Sequence, residues 1–104
     1  MKIYKVKITE TALTAMEQIY DYIADVLQSP ENAMGQYNRI AKAIGKLEQM
    51  PERFPVIDLE WENARGLRRI LVDRYSVFYV ISEENVIVVD VLYSASDVGR
   101  RLQE

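Results

Sequence analysis

LRRILVDRYSVFYVISEENVIVVDVLYSASD, residues Leu67–Asp97, holds three short runs rich in Ile, Val, Leu, Phe and Tyr. The runs are Leu67–Val72, Tyr75–Ile81 and Val86–Tyr93, broken by Asp73-Arg74 and by Ser82-Glu83-Glu84-Asn85. Both breaks have hairpin length, and β-branched and aromatic residues at this density favour strands over helices. The stretch reads as a three-stranded antiparallel meander. With Asp73-Arg74 at the first tip, Val72 faces Tyr75, Leu71 faces Ser76 and Ile70 faces Val77. Alternation then puts Arg69, Leu71, Ser76, Phe78 and Val80 on one face. Arg68, Ile70, Val72, Tyr75, Val77, Tyr79 and Ile81 share the other. Both faces are largely apolar, so other chain is expected to cover much of each.

Upstream of the meander the period changes from two to between three and four. Leu13, Met16, Ile19, Tyr20, Ile23, Val26 and Leu27 form an apolar stripe that predicts a helix from about Glu10 to Gln28. Thr9 is placed to cap it, and Glu10 lies in the first turn against the helix dipole. Ser29-Pro30-Glu31 closes this helix and opens a second, with Ser29 as cap and Pro30 at the first helical position. The second stripe, Ala33, Tyr37, Ile40, Ala41, Ile44 and Leu47, runs to Met50, and Pro51 stops it. So short a connection forces an antiparallel αα-hairpin.

Two segments flank these elements. At the N-terminus Tyr4, Val6 and Ile8 alternate with Lys5 and Lys7, the pattern of a half-buried strand whose lysines suit a sheet edge. Between the second helix and the meander, residues 51–65 (PERFPVIDLEWENAR) lose all periodicity and contain two prolines and the single Trp61. They read as a surface loop anchored by Phe54, Val56, Ile57 and Trp61, and loops of this length are often functional. The order is β-α-α-β-β-β, an α+β domain with an N-terminal strand and a helical hairpin on a small antiparallel sheet.

Composition bounds the chemistry. The 104 residues make one domain, 1–104, able to bury roughly two-thirds of its unfolded surface. No apolar run reaches the ~20 residues of a membrane span, and the N-terminus lacks the apolar centre of a signal peptide. With no cysteine, the cytoplasm is the expected compartment. The absence of both Cys and His removes thiolate nucleophiles, Ser–His dyads and ordinary zinc sites. No metal and no cofactor are expected. A net charge of −3 gives no bulk attraction to nucleic acid, so stable direct DNA binding is not expected. The charge is nonetheless uneven. From Glu10 to Glu62 ten acids face four bases, whereas from Asn63 to Ser82 four arginines face one Asp.

The arrangement and its wording resemble the RelE/ParE superfamily of type II toxin–antitoxin toxins. The likeness runs through IYDYIA (Ile19–Ala24), SPENA (Ser29–Ala33), LEQMPERFP (Leu47–Pro55), GLRRILVDRYSVFYVI (Gly66–Ile81) and VVDVLYSASD (Val88–Asp97). It implies a bacterial toxin neutralised by a cognate antitoxin. It also implies one of two targets: ParE-like members inhibit DNA gyrase, while RelE-like members cut mRNA in the ribosomal A site. The family commonly reads Tyr-Arg-x-x-Tyr in its second meander strand, and in the cleaving branch that Arg is catalytic. Here the word is Tyr75-Ser76-Val77-Phe78-Tyr79, and Ser96 precedes Asp97 where the family often has a base. Both exchanges replace a fixed positive charge by a neutral hydroxyl, which favours the gyrase-type inhibitor over the alternatives, a ribosome-dependent nuclease or an activity-impaired family member.

The resemblance makes Arg69, Ser76 and Tyr93 the catalytic candidates, should the protein be an enzyme. It makes Arg68, Arg69, Arg74, Arg100 and Arg101 the target-binding candidates. Each has a plainer reading beside it. Arg68 and Arg69 can pair with Glu60, Glu62 or Asp90, Tyr93 can serve packing, and Arg100 and Arg101 can be a solvated end. Asp97 reads as a helix N-cap for the tail.

Overall fold

In a computed structural model of the chain, residues 2–57 and 66–94 are described. Strand β1 (Lys5–Ile8) leads into helix α1 (Glu10–Asp21), a π-helical turn (Tyr22–Val26) and helix α2 (Pro30–Gly45). Two 3₁₀ turns, Lys46–Glu48 and Pro51–Arg53, precede the meander strands β2 (Arg68–Val72), β3 (Tyr75–Ser82) and β4 (Asn85–Tyr93). The α+β order read from the sequence holds.

The meander has the predicted register, with Val72 opposite Tyr75, Leu71 opposite Ser76 and Ile70 opposite Val77. Asp73 at the first tip takes a left-handed backbone (φ 55°). The second gap is tighter than its four polar residues imply. Ser82 pairs with Asn85, and only Glu83-Glu84 remain at the tip. A bulge between Phe78 and Tyr79 leaves Val89 as an extra residue in β4.

The sheet order is β1-β4-β3-β2, with β1 at an edge as its lysines imply. The sheet is mixed rather than wholly antiparallel, because β1 pairs parallel with β4, Lys5 beside Asn85 through Ile8 beside Val88. Only Thr9 separates β1 from α1, so α1 carries the chain onward over the sheet and α2 alone returns it. The return ends where β1 begins, with Tyr4 N–H donating to the Glu48 carbonyl at 2.8 Å.

The helices cover one face. Ala12, Ala15, Met16, Ile40, Ile44 and Leu47 pack on Ile70, Val77, Tyr79, Val86, Val88 and Val91. The opposite face carries a smaller cluster of Leu67, Phe78 and Leu92, with Ile57, Val80 and Val89 against it. Thr9 caps α1 as predicted, its hydroxyl accepting from Ala12 N–H at 3.1 Å. Ser29 precedes α2 without a side-chain cap bond; its carbonyl alone takes the Ala33 amide.

The first helical stripe fails at its end. Leu27 N–H bonds back five residues to the Tyr22 carbonyl, and Gln28 turns left-handed at φ 52°. The wider turn rotates later residues off the core, leaving Val26 65% and Leu27 56% exposed. Leu13 and Ala41, also assigned to the stripes, face solvent. Trp61, Ser96, Asp97 and the tail fall outside the described residues.

Candidate functional site

A concavity opens where the tip of the helical hairpin meets the turn end of the sheet. It is a cleft of about 1320 Å³. Tyr22, Ile23 and Leu27 form one wall, Asn32, Gln36 and Arg39 of α2 another, and Asp73–Tyr75 with Val91–Tyr93 the floor.

A polar tie joins two of these walls. Arg39 Nε donates to Asp73 Oδ2 at 2.7 Å, and Gln36 Nε2 donates to the same oxygen at 3.1 Å. Gln36 Oε1 in turn accepts from Arg39 Nη2 at 3.4 Å. The Arg39 hydrogen bond, with Gln36 behind it, holds the Asp73 carboxyl below its ordinary pKa. Asp73 thus remains a carboxylate and is no proton donor near neutrality.

The floor also carries an aromatic pair. Tyr75 and Tyr93 sit edge to face, ring centroids 5.8 Å apart, because β3 and β4 place them directly opposite on the helical side. Burial pushes the Tyr75 hydroxyl above its ordinary pKa. Tyr22 reaches in from the π-helical turn. Arg74 lines the same cleft beside them. An apolar and aromatic wall with a few placed polar groups suits a polypeptide segment.

The catalytic candidates are not brought together. Ser76 is fully buried on the face away from the helices, its hydroxyl 2.8 Å from that of Ser94. Arg69 projects on that same face but is exposed, across the β2–β3 pair from Phe78. Tyr93 is on the opposite face, in the cleft.

The arginines are likewise split. Arg74 belongs to the cleft, while Arg68 and Arg69 begin the other end of β2. Arg68 Nη1 donates to the Glu52 carbonyl at 3.1 Å and to the Phe54 carbonyl, so it ties the loop to the sheet. Neither Glu60 nor Glu62, offered as its partners, is among the described residues, and Arg100 and Arg101 also fall outside them. Among the described residues no group of acidic side chains is placed to hold a metal ion. No helix there is long and apolar enough to cross a membrane.

Sequence reading missed Arg39, Gln36, Asp73, Tyr22 and Tyr75 as site residues. Arg39 carried a signal: it is the first base after a run from Glu10 to Asn38 with five acids and no Lys or Arg. Its partner on a distant turn carried none.

A family model described as the ParE toxin of type II toxin–antitoxin systems matches residues 6–98. No curated protein matches the chain in sequence. Among solved structures, the chain is similar to one in a chromosomal ParDE toxin–antitoxin system from Pseudomonas aeruginosa. The TM-score is 0.74 at 19% identity, over 88% of this chain and 96% of that one. It is also similar to a chain of the RelBE2 toxin–antitoxin complex of Mycobacterium tuberculosis, with a TM-score of 0.60, 21% identity, and 92% and 97% covered. A chain of the archaeal RelE–RelB complex of Pyrococcus horikoshii gives 0.59 at 23% identity, covering 89% and 97%.

Proposed function

Since the chain belongs to the ParE toxin family of type II toxin–antitoxin systems, we propose that it acts by binding DNA gyrase, without cutting RNA, and that its antitoxin occupies the cleft. Ser76 carries this reading. At the position where the cleaving branch places a catalytic Arg stands a neutral hydroxyl, fully buried and engaged with Ser94. It can neither neutralise a phosphorane-like oxygen nor reach an RNA backbone. Arg69 shares its face, but Tyr93, the remaining catalytic candidate, is on the other side of the sheet.

A binding inhibitor needs none of these groups to converge. It needs a shaped surface, and the cleft supplies one: three tyrosines, an apolar wall and a fixed Arg39–Asp73 tie. The deciding experiment sets the purified protein against two targets. Loss of gyrase supercoiling, with intact mRNA in a ribosome-supplemented translation system, is the expected result. Translation-dependent cuts in the A site would overturn it in favour of the nuclease.

A further inference from the structure

Helix α2 has three sides, and two of them are spoken for. Ala33, Gln36, Ile40 and Ile44 recur at helical spacing and are buried, so they turn one side to the core. Asn32, Gln36 and Arg39 turn a second side to the cleft. The third side, from Glu31 through Met34, Asn38 and Ala41 to Lys42, is exposed at each of these residues. Met34 leaves 50% of its surface in solvent, and Leu13 of α1 leaves 41%. Leu13 lies level with the last turn of α2: Tyr20 meets Tyr37 edge to face, with Leu13 two turns before the one and Ile44 two turns after the other.

The charges on this side are self-complementary. Glu31 stands in the first turn of α2 and Lys42 in the last. Among the described residues neither has an ion-pair partner. A second α2 laid antiparallel on the first, about a two-fold axis between Gly35 and Asn38, brings Glu31 of each copy against Lys42 of the other. The same axis sets the exposed Met34 against Ala41 of the other copy, both ways. A parallel pair would oppose Glu31 to Glu31 and Lys42 to Lys42, and would align the two helix dipoles unfavourably. A wholly acidic or wholly basic partner would satisfy one end of the row and repel the other; a second copy satisfies both. Gly35, at the crossing, lets the helices approach closely. An interior helical glycine is destabilising, and the protomer gives no reason for this one: only the flexible end of Arg39 lies within 4 Å of the place its Cβ would take.

We propose that the outward side of α2 is an isologous interface through which two copies of this chain associate, α2 against α2 and antiparallel. The apolar contact of Met34 with Ala41 holds the copies together, and the two Glu31–Lys42 pairs fix direction and register. The cleft is lined from a different side of α2, so both copies keep it open. Nothing in this interface depends on the toxin's target.

The test is sedimentation equilibrium on the intact protein. The parent is expected to pass from monomer to dimer as its concentration rises toward millimolar. Glu31→Lys and Lys42→Glu each turn two opposite-charge contacts into two like-charge ones, and each should weaken the dimer by about tenfold or more. An equimolar mixture of the two variants recreates both contacts in a heterodimer and should associate as the parent does. Misfolding could not be rescued in this way, and the amide resonances of Tyr75 and Tyr93 check the fold of each variant alone. A parent that stays monomeric at millimolar concentration would overturn the proposal, and the row would then be a solvated helix back. Association that neither variant weakens, or a mixture that stays monomeric, would overturn it as well. Each of these results leaves the gyrase reading standing, since supercoiling is measured separately.

Discussion

At the scale of single residues, the groups that matter act through where the fold holds them. Asp73 is a hairpin-tip carboxylate made into a clamp for α2 by Arg39 and Gln36. Its lowered pKa sets the sign of a pH effect: the tie is present above the ordinary value of 3.8 and is lost as pH falls through the lower folded value. A carbon-detected titration of Asp73 should give a midpoint below 3.8, and Arg39→Ala should move it up toward 3.8. An unchanged midpoint in the variant would mean the ion pair does not form in solution. Tyr79 is the converse case. It is fully buried, its hydroxyl donates to the Pro51 carbonyl at 2.6 Å, and burial pushes its pKa to about 12. Because the folded state holds this proton more tightly, its contribution is complete below about pH 10 and fades as pH rises toward 12. Tyr79→Phe leaves the Pro51 carbonyl without this partner and should cost about 1–3 kcal/mol in urea unfolding at neutral pH. A loss well below that range would show that water replaces the hydroxyl.

At the scale of elements, local rules written in a few adjacent residues were legible and rules depending on distant chain were not. The meander register followed from two short gaps in a β-branched run, and every predicted β2–β3 pair is present. Thr9 was readable because a cap needs only the next three residues. Ser29 obeyed the same rule and failed it, since its backbone is already committed to closing the previous helix on the Ile23 carbonyl at 3.0 Å. The two caps should therefore separate on mutation. Thr9→Ala loses a real cap bond and is expected to cost about 1 kcal/mol, while Ser29→Ala should stay within about 0.5 kcal/mol. Paired thermal unfolding checks this, and equal losses would show that the Ser29 hydroxyl caps α2 after all. The π-helical turn had no sequence mark. Its apolar residues keep helical spacing to Leu27, and only the wider turn itself throws Val26 and Leu27 outward. The parallel course of β1 was equally hidden, since alternation identifies a strand and an edge but not its direction.

At the scale of the whole molecule, β2 joins two unlike regions, and this decides what its arginines can do. Arg74, past its end, lines the cleft. Arg68, at its start, holds the loop by two carbonyls, and Arg69 next to it is exposed. Adjacent arginines in the sequence looked like one patch because the connection that engages Arg68 arrives from residues 52–54, too far away to be read by spacing. The structure divides them into a fastener and an exposed cation. Arg68→Ala should loosen the loop and cost about 1–3 kcal/mol, because two carbonyls lose their charged donor. Arg69→Ala should unfold within about 0.5 kcal/mol of the parent, as exposed substitutions usually do. Growth inhibition separates function from folding. If the target is met through the cleft, Arg69→Ala stays toxic while Arg74→Ala and Tyr93→Ala lose toxicity with the fold retained. Toxicity, thermal unfolding and antitoxin binding measured on the same four variants make the outcome unambiguous. A folded Arg69→Ala protein that no longer arrests growth would place the target-binding surface on the far side of the sheet, beside Ser76, and would remove the cleft from the mechanism of inhibition.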